Sequence, residues 1–316
     1  MSNKRSNTDT QNKQRKKYKV ASGFLDPGTS GIYATCTRRK ERLAAQELRL
    51  WFEEKINEYY GSEIKRLEAE SQDERLKEES EEDSNKDVNE ESSIEEQIKR
   101  ELDELKGGSN KPKTKNEKKR EYLRYIDLNC ECVIFFKTRK PIVPTEFVHR
   151  LMEELVDPKN TVKRTRYINR LTPITYSCNA TMEQLTKLAE QVLSPHFHLE
   201  KYESEGQGIK FSIELNRRNF TAVSRDDIQS KLIQFVCQNG RYKHKIDYKN
   251  YDKLIMVECY KNNIGMSVVA GDYRNKFRKY NVQQIFESKF KDEENQQKTK
   301  EVTDEKSSDV AKDPSN

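Results

Sequence analysis

Apolar residues are scarce in this sequence. Only 33% of its 316 residues are hydrophobic while 36% are charged, against roughly 45 to 50% apolar and about 25% charged in an ordinary soluble domain. Part of the chain is therefore solvated tail or linker, and the length allows up to two domains. No run approaches the roughly 18 consecutive apolar residues of a membrane-spanning helix, and the Asn- and Lys-rich start lacks the apolar stretch of a secretion signal. Membrane insertion and secretion are excluded on this reading. The six cysteines, Cys36, Cys130, Cys132, Cys178, Cys237 and Cys259, are scattered, unlike the dense pattern of a small secreted disulfide scaffold. They read as reduced, intracellular thiols.

Motifs for small-molecule chemistry are missing too. There is no G-x-x-x-x-G-K-[ST] phosphate loop, and Gly206-Gln207-Gly208 lacks the third glycine and the strand-to-helix setting of a dinucleotide site, so it reads as a turn. No Gly-rich loop opens a helix in the way acetyl-CoA sites commonly require. Cys130-x-Cys132 and His196-x-His198 have spacings that reach a metal, but the H-x-E and P-C-x-x-C pair of zinc deaminases is absent. Structural cysteines and surface histidines are the simpler reading. No catalytic residue, metal or cofactor is assigned, and with four histidines in the chain no catalytic triad is proposed.

What is present is segregated charge. Residues 1–60 carry 13 basic and 7 acidic side chains, 61–106 carry 8 and 18, 107–120 carry 6 and 1, 121–290 carry 28 and 20, and 291–316 carry 5 and 8. An acidic block thus interrupts a chain that is basic on the parts expected to fold. That excess points to a polyanionic partner, nucleic acid first, because Lys and Arg that neutralise phosphates release counterions. Solvated charged faces give the same composition, so local sequence has to decide.

Residues 1–22 have the composition of a disordered basic arm, suited to phosphates or to an import receptor. After the turn-rich GFLDPGTSG, Ile32–Cys36 predicts a strand, and Leu43, Ala44, Leu48, Trp51, Phe52 and Ile56 give the stripe of an amphipathic helix over Arg38–Tyr60, with Trp51 in the core. Residues 61–120 read as a charged insertion, its acidic 61–106 part either a solvated helix or disordered. Cys132–Lys137 predicts a strand and Thr145–Val156 a helix. Strand, helix, insertion, strand, helix suggests a split ferredoxin-like module. Further on come a helix over 180–193, capped by Asn179 or Thr181, a strand over 209–215 and a helix opening at Ser224. Strands over Leu254–Cys259 and Gly265–Val269 follow, joined by a hairpin-like connection.

The run Phe211-Ser212-Ile213-Glu214-Leu215-Asn216-Arg217-Arg218-Asn219 resembles the THUMP-domain strand that ends in an R-R-N turn. His244-Lys245-Ile246-Asp247-Tyr248, followed by Asp252, Ile255, Val257, Gly265 and Ser267, resembles that family's H-x-V-D-L…P-D…I-x-V…G-x-S signature. Ile246 stands for the usual Val, and Tyr251 where Pro is common. SGFLDPGTSGIYATC near the start and RTRYINRLTPI at Arg164–Ile174 are similar to the THUMP-domain adaptors of eukaryotic tRNA cytidine acetylation, the yeast-type Tan proteins and their animal relatives. These runs span roughly 22–56 and 122–286. The expected fold class is α+β: an N-terminal split ferredoxin-like module over 23–160 with a long charged insertion at 61–120, a THUMP α/β domain over 161–290, and a disordered tail over 291–316.

The resemblance implies a tRNA-binding protein required for N4-acetylcytidine in serine and leucine tRNAs, working with a separate RNA cytidine acetyltransferase that holds the acetyl-CoA and ATP sites. It implies a nuclear or nucleolar protein, with a cytoplasmic pool as a further option. THUMP domains usually precede a catalytic domain, whereas only a charged tail follows residue 290, so the reading is a noncatalytic adaptor. The alternatives are that the chain itself transfers acetyl, or that it is a protein-only assembly factor. The candidate RNA contacts are the strip Lys163, Arg164, Arg166, Tyr167 and Arg170, where planar guanidinium groups meet an aromatic; a charged strand edge is the plainer alternative. Arg217, Arg218 and Asn219 at a strand end, Lys243, His244 and Lys245 in a connecting segment, and Arg274, Lys276, Arg278 and Lys279 among Tyr273, Phe277 and Tyr280 complete the set. Shape and phosphate contacts are expected to outweigh base reading.

Overall fold

The computed structural model describes residues 23–84, 121–203 and 208–289. The expected N-terminal arm, most of the insertion, the first two residues of the Gly206–Gly208 turn and the acidic tail lie outside them. β1 (Gly31–Cys36), α1 (Glu41–Ser84), β2 (Leu123–Ile126), β3 (Val133–Thr138), α2 (Pro144–Val156) and β4 (Ile168–Ile174) follow in the order βαββαβ. The strands pair antiparallel in the order β2-β3-β1-β4, the ferredoxin-like arrangement.

Strand alternation sends Ile32, Ala34, Ile134 and Phe136 to the face covered by the helices. There they meet Ala44, Leu48, Trp51, Phe52 and Ile56 of α1 and Phe147, Val148, Leu151, Met152 and Leu155 of α2. Phe52 sits edge-on to both Phe147 and Phe136, at 5.2 and 5.7 Å between centroids. Each such ring contributes about 1.5 to 3 kcal/mol by leaving water.

Two expectations change here. The helix read over Arg38–Tyr60 extends to Ser84, through Gly61 and into the first part of the charged insertion. Past Tyr60 the contact with the core thins, Ile64 still packing against it, and Arg66 pairs with Glu70, four residues apart at 3.5 Å. The second change concerns the module boundary expected at residue 160, because β4 hydrogen-bonds to β1 and closes the first sheet. A register shift between Thr35 and Cys36 lets Ile168 and Leu171 both face the helices despite their odd spacing. That bulge hides the strand from a period-2 reading.

The second module contains β5 (Tyr176–Asn179), α3 (Met182–Phe197), β6 (Lys210–Arg218), α4 (Arg225–Cys237), β7 (Lys245–Ile246), β8 (Lys253–Tyr260) and β9 (Asn263–Ala270). The sheet runs β5-β9-β8-β6-β7, with β6 parallel to β7 and β8 and the other pairs antiparallel. Thr181 caps α3 by accepting from the Gln184 N–H at 3.3 Å, and Ser224 caps α4 by accepting from the Asp227 N–H at 3.1 Å. Both helices cover one face, burying Phe211, Ile213, Leu215, Ile255, Val257, Ile264 and Met266. Gly208 is required where it stands: a Cβ there would lie 1.9 Å from the Lys243 carbonyl oxygen.

The other face of this sheet meets the first module. Leu254, Met256 and Val269 join the first core. The Ser267 hydroxyl donates to the Pro173 carbonyl at 2.6 Å, and the Gly28 and Thr29 amides donate to the carbonyl and hydroxyl of Ser177 at 2.7 and 3.1 Å. A short helix α5 (Asp272–Asn275), a turn over Arg278–Tyr280 and a helix α6 over 282–289 then return along the first module. Tyr273, Phe277 and Tyr280, expected among the RNA-facing basic residues, are fully buried there with Val282 and Ile285. No helix among the described residues is long and apolar enough to cross a membrane.

Candidate nucleic-acid interface

β6 makes the site by alternation. Phe211, Ile213 and Leu215 enter the helix-covered core, so Ser212, Glu214 and Asn216 face the opposite side, where β4 approaches. There they floor a groove of about 480 Å³. Arg170 of β4, Arg225 at the start of α4, Tyr248 and Tyr251 of the β7–β8 connection, and Arg274 and Lys279 of the C-terminal segment form its walls.

Glu214 organises the floor: its Oε1 lies 3.6 Å from Arg170 Nη1 and accepts from the Tyr273 hydroxyl at 3.3 Å. Glu258, beside it on β8, is buried and accepts from Asn216 Nδ2 at 2.7 Å. Burial raises the Glu258 carboxyl above its ordinary value. Arg225, Arg274 and Lys279 have no carboxylate partner among the described residues. Arg274 is aimed by donating from Nη1 to the Tyr248 carbonyl at 2.9 Å. The loop behind Tyr248 is fixed in turn. Asp247 accepts from the Asn250 and Lys249 amides at 3.0 and 2.9 Å and from Lys210 at 3.2 Å, and these bonds pull its carboxyl down to about 2. Tyr248 itself is 56% exposed.

Of the residues singled out from sequence, the structure brings Arg170, Arg274 and Lys279 together in this groove. The strip before β4 lies against α1: Arg164 pairs with Glu54 at 3.1 Å, and the Arg166 and Tyr167 amides donate to Glu47 at 2.9 and 3.1 Å. Lys40 sits over the Tyr167 ring and Lys163 over Phe286. Lys163 and Arg166 point out without a carboxylate partner among the described residues. Lys276 lies 3.9 Å from Glu153 and covers the Phe277 ring, while Arg278 is exposed with φ 48°.

Neighbours in sequence part company at the end of β6. Arg217 Nη2 donates to the carbonyls of Phe220 and Val223 at 3.0 and 3.2 Å, bracing the turn into α4, and Asn219 makes that turn with φ 50°. Arg218 lies near buried Glu258, favouring its charged form. Lys243 and Lys245 are exposed around the edge strand β7, outside the groove lining. His244, singled out as an RNA contact, is only 6% exposed. Its Nδ1 accepts from the Ile209 amide at 3.1 Å, so Nε2 carries the proton and donates to the Phe197 carbonyl at 2.8 Å. Both nitrogens are used internally, and burial lowers its pKa. Arg225, Tyr248 and Tyr251 were not singled out. Arg225 is hidden in a helix-capping run, and the tyrosines sit in a loop whose side-chain directions no periodicity announces. Among the described residues no group of three or more His, Cys, Asp or Glu is placed to hold a metal ion.

Residues 179–269 match the THUMP domain model. Over 293 residues the chain is 56% identical to the Saccharomyces cerevisiae protein named tRNA acetyltransferase TAN1, covering 92% of this chain and 96% of that one. The chain belongs to the TAN1 family of THUMP-domain proteins. Human THUMP domain-containing protein 1 is similar at 28% identity, over 84% of this chain and 66% of its own. The solution structure of the THUMP domain of THUMP domain-containing protein 1 aligns at 29% identity and a TM-score of 0.24, over 28% of this chain and 84% of that one. In this TAN1-family chain the THUMP match ends short of the groove on both sides. Arg170 precedes it, and Arg274 and Lys279 follow it, so the groove is a product of both modules.

Proposed function

We propose that this chain binds tRNA and serves tRNA cytidine acetylation as an adaptor, presenting serine and leucine tRNAs to a separate RNA cytidine acetyltransferase. The observation that carries the binding half is the groove in which Arg225, Arg274 and Lys279 converge with no carboxylate partner among the described residues. Unpaired cations in a concave site are poised for phosphates, and each phosphate neutralised releases counterions. Lys163 and Arg166 add exposed cations outside the groove. The modification half is supported by the TAN1-family membership and by the yeast relative's name. In this role binding energy goes into holding the acceptor base in place for the partner's chemistry. The reading puts the protein in the nucleus or nucleolus, with residues 1–22 as the import element. A tagged chain lacking those residues should lose nuclear accumulation.

The yeast relative's name also favours the rival reading, that the chain transfers acetyl itself. One experiment separates the two: incubate a serine tRNA, acetyl-CoA and ATP with this chain, with the acetyltransferase, and with both. The adaptor reading requires acetylcytidine to rise far above either single arm when both are present. Product from this chain alone would overturn it. A protein-only assembly factor would instead show weak tRNA affinity with no steep salt dependence.

A further inference from the structure

Another groove, of about 990 Å³, lies at the opposite edge of the first sheet from β4. α1 runs on past the edge strand β2 and leaves a channel between them, lined by Asn57, Gly61, Ile64, Lys65, Tyr122 and Leu123. Ile64, Tyr122 and Leu123 are only partly buried. Gly61 stands inside the helix with open space where a Cβ would point. Glycine weakens a helix interior, and what it permits there is close approach by another stretch of chain.

The chain leaves and re-enters beside this groove. α1 ends at Ser84, the described residues resume at Glu121, and Glu121 itself lines the groove. Residues 85–120 lie outside the described residues. Their composition is charged, but their order is more specific. Ser93-Ile94-Glu95-Glu96 has the pattern of a capping box, Ile94, Ile98, Leu102 and Leu105 recur at spacings of four, four and three, and Lys106 is followed by Gly107-Gly108. That is the sequence of a short amphipathic helix with a start, an apolar stripe and a stop. Running only from 94 to 106, it is marginal alone in water, so its stripe needs a surface.

The distances close. From Glu68, at the far end of the groove, α1 rises about 24 Å to Ser84. The nine residues 85–93 reach back about 30 Å when extended, which sets Ile94 level with Glu68. A helix from 94 to 105 then spans about 18 Å and brings Leu105 level with Ile56, leaving 106–120 ample length to return to Glu121. Glu95 and Glu96 come near Lys65, which has no carboxylate partner among the described residues.

We propose that residues 94–106 dock in this groove as a helix antiparallel to α1, setting Ile98 and Leu102 against Ile64 and Leu123. The tether gives an effective concentration on the order of millimolar, which favours the chain's own segment over a helix from another protein. Docked there, the insertion is held across the sheet from β4 and the basic groove, and its acidic residues are kept from the cations. The docking stands whether or not the chain binds RNA.

The test is hydrogen exchange on the full chain, read by mass spectrometry. Amides of 97–106 are expected to exchange about 100-fold more slowly than those of 109–118 in the same insertion. Ile64→Asp, on the groove wall, should bring the two sets within about threefold of each other. The reciprocal variant Leu102→Asp leaves every residue of the first core unchanged, and should speed exchange at amides 61–68 of α1 about tenfold. Unprotected 97–106 amides in the unmodified chain overturn the proposal. So does protection that survives in folded Ile64→Asp, or α1 amides that ignore Leu102→Asp. Protection that rises with protein concentration gives the groove to a second copy, and protection seen only after the acetyltransferase is added gives it to a partner protein; either result overturns the intramolecular assignment. If Ile64→Asp does not fold, Leu102→Asp decides.

Discussion

The two faces of β6 are put to opposite uses. Phe211, Ile213 and Leu215 face α3 and α4 across a dry core, while Ser212, Glu214 and Asn216, one residue out of step, face a polar groove. One strand therefore serves packing and recognition at once, because side chains alternate with period 2. The helix-covered face is closed by elements of its own module. The other is closed only in part, by β4 and the C-terminal return, and what they leave open is the site. Arg217 and Arg218 carry the contrast to its end, the first bracing a turn and the second facing buried Glu258.

The largest effect separating the faces should come from the dry side. Ile213→Ala should cost about 2 to 5 kcal/mol of stability, measured by urea unfolding, and leave tRNA affinity unchanged wherever the variant is folded. On the groove side the pattern should invert. Reversing Arg225, Arg274 and Lys279 to Glu should leave the unfolding midpoint nearly unmoved while tRNA binding weakens. The slope of log affinity against log salt should fall by about 2 to 3. If the same reversal at Lys243 and Lys245 flattened the slope more, the contrast between groove and edge would be lost.

His244 gives a smaller, pH-dependent effect on the packed side. Its pKa is depressed by burial, so the folded state holds fewer protons than the unfolded state near the ordinary value of 6.5. The stability it contributes is complete above that value and is lost as pH falls from there through the depressed folded value. Urea midpoints at pH 7.5 and 5.5 should therefore diverge in the native chain, and diverge less in His244→Gln. The smallest expected change is Arg217→Ala, about 1 kcal/mol for two hydrogen bonds at a partly exposed turn, with tRNA affinity retained. A loss of binding there would place RNA on the helix-covered side after all.

Much of the scaffold was legible locally. The stripe of α1, the caps Thr181 and Ser224, the apolar run of β3 and the hairpin of β8 and β9 are written in neighbouring residues, where spacing and capping chemistry suffice. β4 escaped that reading because a bulge breaks its alternation. The far half of α1 was left between a solvated helix and disorder, because apolar residues thin out past Tyr60 and composition fits both. His244, Tyr273, Phe277 and Tyr280 look like RNA contacts in sequence, since a basic neighbourhood with aromatics reads the same whether the rings face solvent or core.

By itself the sequence determined the two-module α+β class, the segregated charge and the family motifs, because each depends on composition or on residues a few positions apart. Only the tertiary structure decided which cations act together. Arg170 meets Glu214 at 3.6 Å across a gap of 44 positions in the chain, and Arg225, Arg274 and Lys279 arrive from an α-helix start, a short helix and a turn. Nothing local encodes such a meeting. It follows from which strand edge docks on which sheet face, a choice made by burial of Leu254, Met256 and Val269 in the first core, far from the charges it brings together.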